Sequence, residues 1–200
     1  MSAPIVFIVG AGDYIGAAIA RRFAKGGFSV CLGRRNGDKL EPLLEELRTM
    51  GAKAYGYSFD ARSEEVTEEI FKKIESTVGA IDLVIFNVGG NVYFPILETT
   101  ARVYRKVWEM ASFAGFLTGR EAARYMVPRG SGKIFFTGAS ASLRGKPGYS
   151  AFSAGKAGLR MIAQSMAREL GPKNIHIAHL IIDSGVDTQI CPRTHQSRWA

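Results

Sequence analysis

Lys156 follows Phe152 by four residues in the stretch GYSAFSAGKAG (148–158). Positions i and i+4 share one face of a helix, so an amine lies beside a ring that has no acidic proton. The pair reads as a catalytic couple without its acid or as an ordinary helix face, on which Phe152 joins Leu159 and Met161 in plain core. A second constellation is VGAGDYIGAAIARRF after the apolar run 4–9, where Gly10, Gly12 and Gly16 crowd a strand-to-helix turn. Glycines let backbone N–H groups approach a pyrophosphate, which also meets the positive end of the following helix. The spacing departs from G-x-G-x-x-G because position 15 is Ile, so the candidate contacts are Gly10, Gly12, Ile15 and Gly16. A tight turn with no ligand is the other reading.

Two further positions refine the ligand. An NAD-preferring site places an acid at the end of the second strand. Here CLGRRN offers Arg34 and Arg35 where a 2′-phosphate would lie, which favours NADP(H) over NAD(H); the alternative is a solvated basic turn. Asp60, ending the third strand, accepts from an adenine amino group or simply caps the following turn.

Short apolar runs alternate with helical patterns and must position these groups. The runs are 4–9, 28–32, 53–59, 81–88, 133–137 and 175–182. Several are continuous β-branched or aromatic stretches, as strands buried on both faces require. Helices are expected over 15–25, with Ile15, Ile19 and Phe23 on one stripe, over 38–50, capped by Asp38 with Pro42 in its first turns and Gly51 after its end, over 63–78 after the cap Ser63, and over 100–126 and 150–170. Such βαβ alternation implies an α/β fold, a parallel sheet covered on both faces by right-handed crossovers. Its ligands bind beyond the carboxyl ends of the strands, where every candidate above falls.

Composition narrows the class. With 200 residues, 46% apolar and 22% charged, the chain reads as one globular domain with a real core. No run approaches the roughly 18 apolar residues that span a bilayer. The N-terminus lacks a basic n-region, so no signal peptide is expected. Cys31 and Cys191 form no metal or disulfide spacing, which suits a reducing cytoplasm, and His176, His179 and His195 make no ligand cluster, so no metal is expected. The net charge of +8 is spread along the chain and interleaved with Glu, without a nucleic-acid motif, so no nucleic-acid partner is expected.

Together these motifs resemble the short-chain dehydrogenase/reductase family over about residues 4–188. The resemblance rests on the glycine turn at 10–16, Asp60, IDLVIFNVGG at 81–90, the long helix before GKIFFTGAS, AFSAGKAGL at 151–159 and MARELGPKNIHIAHLIIDSGVDT. It implies a doubly wound Rossmann-type sheet of about six strands, a nicotinamide cofactor, and hydride transfer to or from a small carbonyl or alcohol. It also implies four catalytic side chains. The lysine, which lowers the acid's pKa and grips the nicotinamide ribose, is Lys156. The tyrosine acid is replaced by Phe152, the orienting serine by Ala139 and the helix asparagine by Ser112. Stand-ins are Ser140 with Lys156, then Tyr149; Ser142 lies further from the serine position, and Ser150 and Ser153 are read as capping or decorating the helix.

The resemblance also places Tyr14 where the family has its second loop glycine and where its ring would crowd the pyrophosphate. It assigns Asn87 and Gly89 to a motif that braces the sheet beside the adenosine ribose and Thr188 to face the nicotinamide amide, although Asp183-Ser184 replaces the family's Pro-Gly. The chain is expected to be a single domain over 1–188 with an irregular tail at 189–200, lacking the family's substrate lid and last strand. A homodimer through helices 100–126 and 150–170 is implied. The functions expected are therefore a slow or atypical oxidoreductase, or a catalytically silent nucleotide-binding or dimerising relative.

Overall fold

The computed structural model describes residues 3–183. Thr188 and the tail 189–200 lie outside the described residues. Six parallel strands form one sheet in the order β3-β2-β1-β4-β5-β6: β1 Ile5–Val9, β2 Ser29–Arg34, β3 Ala54–Ser58, β4 Ile81–Phe86, β5 Gly132–Ala139 and β6 Ile175–Ile182. The helices are α1 Ile15–Lys25, α2 Glu41–Thr49, α3 Glu64–Thr77, α4 Ala101–Trp108, α5 Ala114–Arg129 and α6 Ser150–Leu170. The winding reverses between β1 and β4, which is where a doubly wound sheet opens a crevice.

All five residues of β1 are buried, because both faces of this strand are covered. Val6 and Ile8 pack with Ala17, Ala20 and the α2 leucines; Phe7 packs on the opposite face with Phe59 and Phe71. The second face also holds α5 and α6 through Ala122, Met126, Leu159 and Ala163. Leu180 on β6 is left half-exposed among the described residues. No helix of the described residues is long and apolar enough to cross a membrane.

Three local expectations are corrected. Asp38 does not cap α2: it sits in a 3₁₀ turn, Gly37–Leu40, and α2 starts at Glu41 without a side-chain cap. Pro42 occupies the first turn, where a residue without an N–H costs nothing, and so sets the start. The long helix is not one regular α-helix over 100–126. It runs to Arg129 and contains a π turn, Glu109–Phe113, between α4 and α5. Ser150 and Ser153 give α6 no side-chain cap; their hydroxyls are buried without a hydrogen-bond partner among the described residues.

Ser63 does cap α3, and Thr100 caps α4 by accepting from the Val103 N–H at 3.2 Å. Thr100→Ala is expected to lower unfolding free energy by about 1 kcal/mol in urea titration, the usual worth of such a cap.

Candidate nucleotide and substrate site

The strand registers bring Val9, Gly33 and Phe86 level at one edge of the sheet. Beyond that edge lies a cleft of about 210 Å³ whose walls include Gly10, Gly12, Arg34, Arg35, Asp60 and Asn87. These six candidates, with Gly89 at the same cleft, come from the carboxyl ends of four different strands and the turns that follow them. Gly10 has φ +91°, and a Cβ there would stand 2.8 Å from the Asn87 carbonyl carbon and oxygen. Glycine is thus required twice, for the backbone angle and for the close approach. Asn87 locks the turn: its Nδ2 donates to the Gly10 carbonyl at 3.0 Å and its N–H to Val9 at 2.7 Å. The Ala17 N–H reaches back to the Gly12 carbonyl, while those of Ile15 and Gly16 at the start of α1 meet no carbonyl among the described residues.

A Cβ at Gly12 would meet nothing within 4 Å, so the turn faces open space there. Open space, donor amides and a helix N-terminus fit a pyrophosphate. Tyr14 precedes α1, is 37% exposed and does not line this cleft; it lies on a wider groove with Ile19 and Phe23.

Two of the three cleft arginines, and the acid Asp60, are already engaged in ion pairs. Arg62 donates from Nε to both Asp60 oxygens at 3.0 and 3.1 Å, which holds the Asp60 carboxyl below the usual carboxylate range. Arg62 also lies 3.9 Å from Glu109. Arg34 pairs with Asp13. The sequence reading missed Asp13 and Arg62. Asp13 stands inside the glycine motif but is not one of its glycines, Arg62 lies outside every motif, and only the fold closes the 21-residue separation between Asp13 and Arg34.

Lys156 is buried on α6, 4% exposed. Its Nζ donates to the Thr137 carbonyl at 2.8 Å and to the Val88 carbonyl at 3.2 Å. The amine therefore sits where the carboxyl ends of β4 and β5 meet the cleft. Burial pushes its pKa down to about 8. His179, read from the sequence only as structural or solvated, has a buried Nε2 with no partner among the described residues. Burial, then the charges of Lys156 and Arg160, lowers its pKa.

Phe152 lies one helical turn before Lys156 and is half-buried. Its ring meets Tyr149 edge-on at 6.5 Å, and Tyr149 meets Tyr93 at 5.4 Å. Tyr149 immediately precedes α6. Ala139 ends β5, and Ser140 opens a 3₁₀ turn, Ser140–Ser142, that packs on α6. The Ser142 hydroxyl is buried without a partner among the described residues. Ser112 is buried in the π turn, where α5 closes on α6: a Cβ on Gly158 would stand 2.6 Å from its Oγ. Ser140, Tyr149, Phe152 and Lys156 thus share the N-terminal part of α6 and its adjoining turns.

A doubly wound sheet with a glycine turn and a cleft at its switch point defines a dinucleotide-binding α/β protein. The family model described as short chain dehydrogenase matches residues 4–198, and the chain belongs to that family. A short-chain dehydrogenase structure from Rhodopseudomonas palustris is 57% identical, with TM-score 0.87 over 90% of this chain and 85% of that one. The actinorhodin polyketide ketoreductase solved with NADPH is 25% identical, with TM-score 0.89 over 94% of this chain and 72% of that one. The 2-dehydro-3-deoxy-D-gluconate 5-dehydrogenase of Formosa agariphila is 29% identical over 174 residues, 86% of this chain. The chain spans 66% of that relative's length. These kinships support NAD(P)-dependent oxidoreduction as the general activity.

Proposed function

We propose that the chain is an NADP(H)-dependent oxidoreductase acting on a small carbonyl or alcohol, slow because Phe152 fills the acid's position. The observation that carries this reading is the buried Lys156 amine, held between the ends of β4 and β5 by the Val88 and Thr137 carbonyls, with Val88 itself in the cleft wall. In this reading Gly10, Gly12, Ile15 and Gly16 receive the pyrophosphate. Asn87 and Gly89 brace the sheet beside the adenosine ribose, Asp60 faces the adenine, and Thr188 meets the carboxamide. Arg34 and Arg35 face the 2′-phosphate. A bound nicotinamide would supply or accept the hydride. Lys156 grips its ribose, and Ser140 orients the substrate oxygen, with Tyr149 as the alternative hydroxyl. Positioning alone leaves residual rate when a proton donor is missing. The gluconate dehydrogenases among the relatives support a small polar carbonyl or alcohol as substrate class.

Titrating the purified chain with NADPH by fluorescence, then assaying a carbonyl panel, tests the reading. Saturation below millimolar cofactor with slow turnover is expected. Absence of binding removes it.

A silent nucleotide-binding or dimerising role is the second reading. It is favoured by the settled edge-on packing of Phe152 against Tyr149, and it predicts binding without turnover. Either role would be performed in the cytoplasm as a homodimer. The Trp108–Phe113–Phe116 ring stack runs along the α4–α5 helix, with Trp108 and Phe116 each about 40% exposed, beside α6 with its exposed Met161. An aromatic stripe of this kind suits a helix-pair interface. Trp108→Glu is expected to weaken the dimer at least about tenfold, read as a dimer-to-monomer shift in light scattering. An unchanged mass would remove the dimer from this face.

A further inference from the structure

Three guanidinium groups line the cleft, those of Arg34, Arg35 and Arg62. Two are held by carboxylates: Arg62 by Asp60, and Arg34 by Asp13. Arg35 is exposed, with no carboxylate in ion-pair distance among the described residues. The Arg34 contact is two-pronged. Asp13 Oδ1 accepts from Nη1 at 2.5 Å and Oδ2 from Nη2 at 3.3 Å, and Nη1 also reaches the Lys39 carbonyl at 3.4 Å. The backbones beneath are tied as well, since the Gly10 and Ala11 N–H groups both donate to the Gly33 carbonyl at 2.9 and 3.0 Å. The pair therefore joins two anchored walls rather than two loose side chains.

Position matters as much as distance. Arg34 lines the cleft; Asp13 does not, and its side chain is 64% exposed on the rim. Asp13 thus draws the Nη edge of the guanidinium outward and neutralises it. A 2′-phosphate arriving at Arg34 meets a carboxylate already seated on two of its donors, and juxtaposed like charges oppose binding. A free ribose hydroxyl meets the opposite situation, because an ionised carboxylate accepts hydrogen bonds and donates none. Arg34 keeps its Nε–H free of both contacts, so the phosphate is disfavoured rather than excluded.

We propose that Asp13 is a positioning residue that holds Arg34 back from the 2′-phosphate and so levels the preference for a 2′-phosphorylated dinucleotide over an unphosphorylated one. The cleft then relies on Arg35 for its phosphate selectivity. The proposal rests on the dinucleotide reading above and deepens its cofactor assignment.

NADPH and NADH are titrated separately, by fluorescence, against the wild-type chain, Asp13→Asn, Asp13→Ala, Asp13→Glu and the double variant Asp13→Asn/Arg34→Ala. In Asp13→Asn and Asp13→Ala the ratio of NADH to NADPH dissociation constants is expected to rise about tenfold, chiefly through tighter NADPH binding. Asp13→Glu keeps the charge and should stay near the wild-type ratio. The double variant should lose the gain, since the gain runs through Arg34. A general loosening of the turn would move both nucleotides together and leave the ratio unchanged. A ratio within about twofold of wild type in both neutral variants, with nucleotide still binding, overturns the clamp and leaves the dinucleotide reading standing. Failure of every protein to bind either nucleotide overturns both.

Discussion

Phe152→Tyr is expected to raise carbonyl reduction by at least about 100-fold, because a positioned acid contributes roughly 10²–10⁴-fold. The change adds one oxygen to a ring that is already placed. Phe152 is half-buried one turn before Lys156, and its ring is steadied by Tyr149. A phenol there stands on the face that Lys156 shares, and a nearby ammonium favours the phenolate, so the new hydroxyl should titrate below the ordinary tyrosine value. Nothing else in the site need move. The Lys156 amine keeps its bonds to Thr137 and Val88, and the glycine turn keeps its brace from Asn87. NADPH oxidation followed at 340 nm across a ketone panel checks the gain. NADPH affinity should change little, since the ring lies outside the lining of the nucleotide cleft. A tyrosine variant that binds NADPH as wild type does and turns over no faster would show that more than the acid is missing, with Ala139 and Ser112 the next positions to restore.

The fold was legible because a doubly covered parallel sheet demands continuous apolar strands. The runs at 4–9 and 81–88 could hardly be anything else once glycine turns and amphipathic helices separated them. Caps were legible only where a single residue decided them. Ser63 begins α3 as read, whereas Asp38 was overruled by Pro42, whose missing N–H sets the start of α2 three residues later. The π turn left no local signature. It lies where Ser112 on one helix packs against Gly158 on another, and that contact exists only after the helices pack. The candidate site divides along the same line. Gly10, Asn87 and Lys156 stand in motifs and could be named from spacing. Asp13 and Arg34 meet because β1 and β2 align Val9 with Gly33, which spacing cannot express. Arg62 takes the Asp60 carboxylate from two residues away, so the acid read as an adenine acceptor already has a partner. Spacing gave the places of the charged groups but not their commitments to one another.

Lys156→Met separates what the lysine does for chemistry from what it costs the fold. Turnover should fall at least about 100-fold if, as proposed, this amine grips the ribose and perturbs a neighbouring hydroxyl. Stability at neutral pH is the balance of two opposing contributions of similar size. The folded chain holds this amine near pKa 8, against an ordinary value of 10.5, because burial disfavours the ammonium. Between those values the unfolded chain binds the proton and the folded chain does not. Stability contributed by the neutral amine is therefore present above about pH 10.5 and is lost as pH falls through about 8. At neutral pH the folded chain carries the penalty of a buried ammonium in full, on the order of 3 kcal/mol at most. Methionine has a similar length and no charge, so Lys156→Met lifts that penalty, set against the cost of leaving the Val88 and Thr137 carbonyls without this donor, up to about 1–3 kcal/mol each. The clearer signature is the slope. Urea unfolding of the wild-type chain should show stability rising from pH 8 towards 10.5 by more than in Lys156→Met, since every other titrating group is common to both. Equal slopes in the two proteins would mean that the amine keeps its ordinary pKa in the fold. Loss of turnover with a flattened slope would place both the catalytic grip and the burial penalty on the same nitrogen.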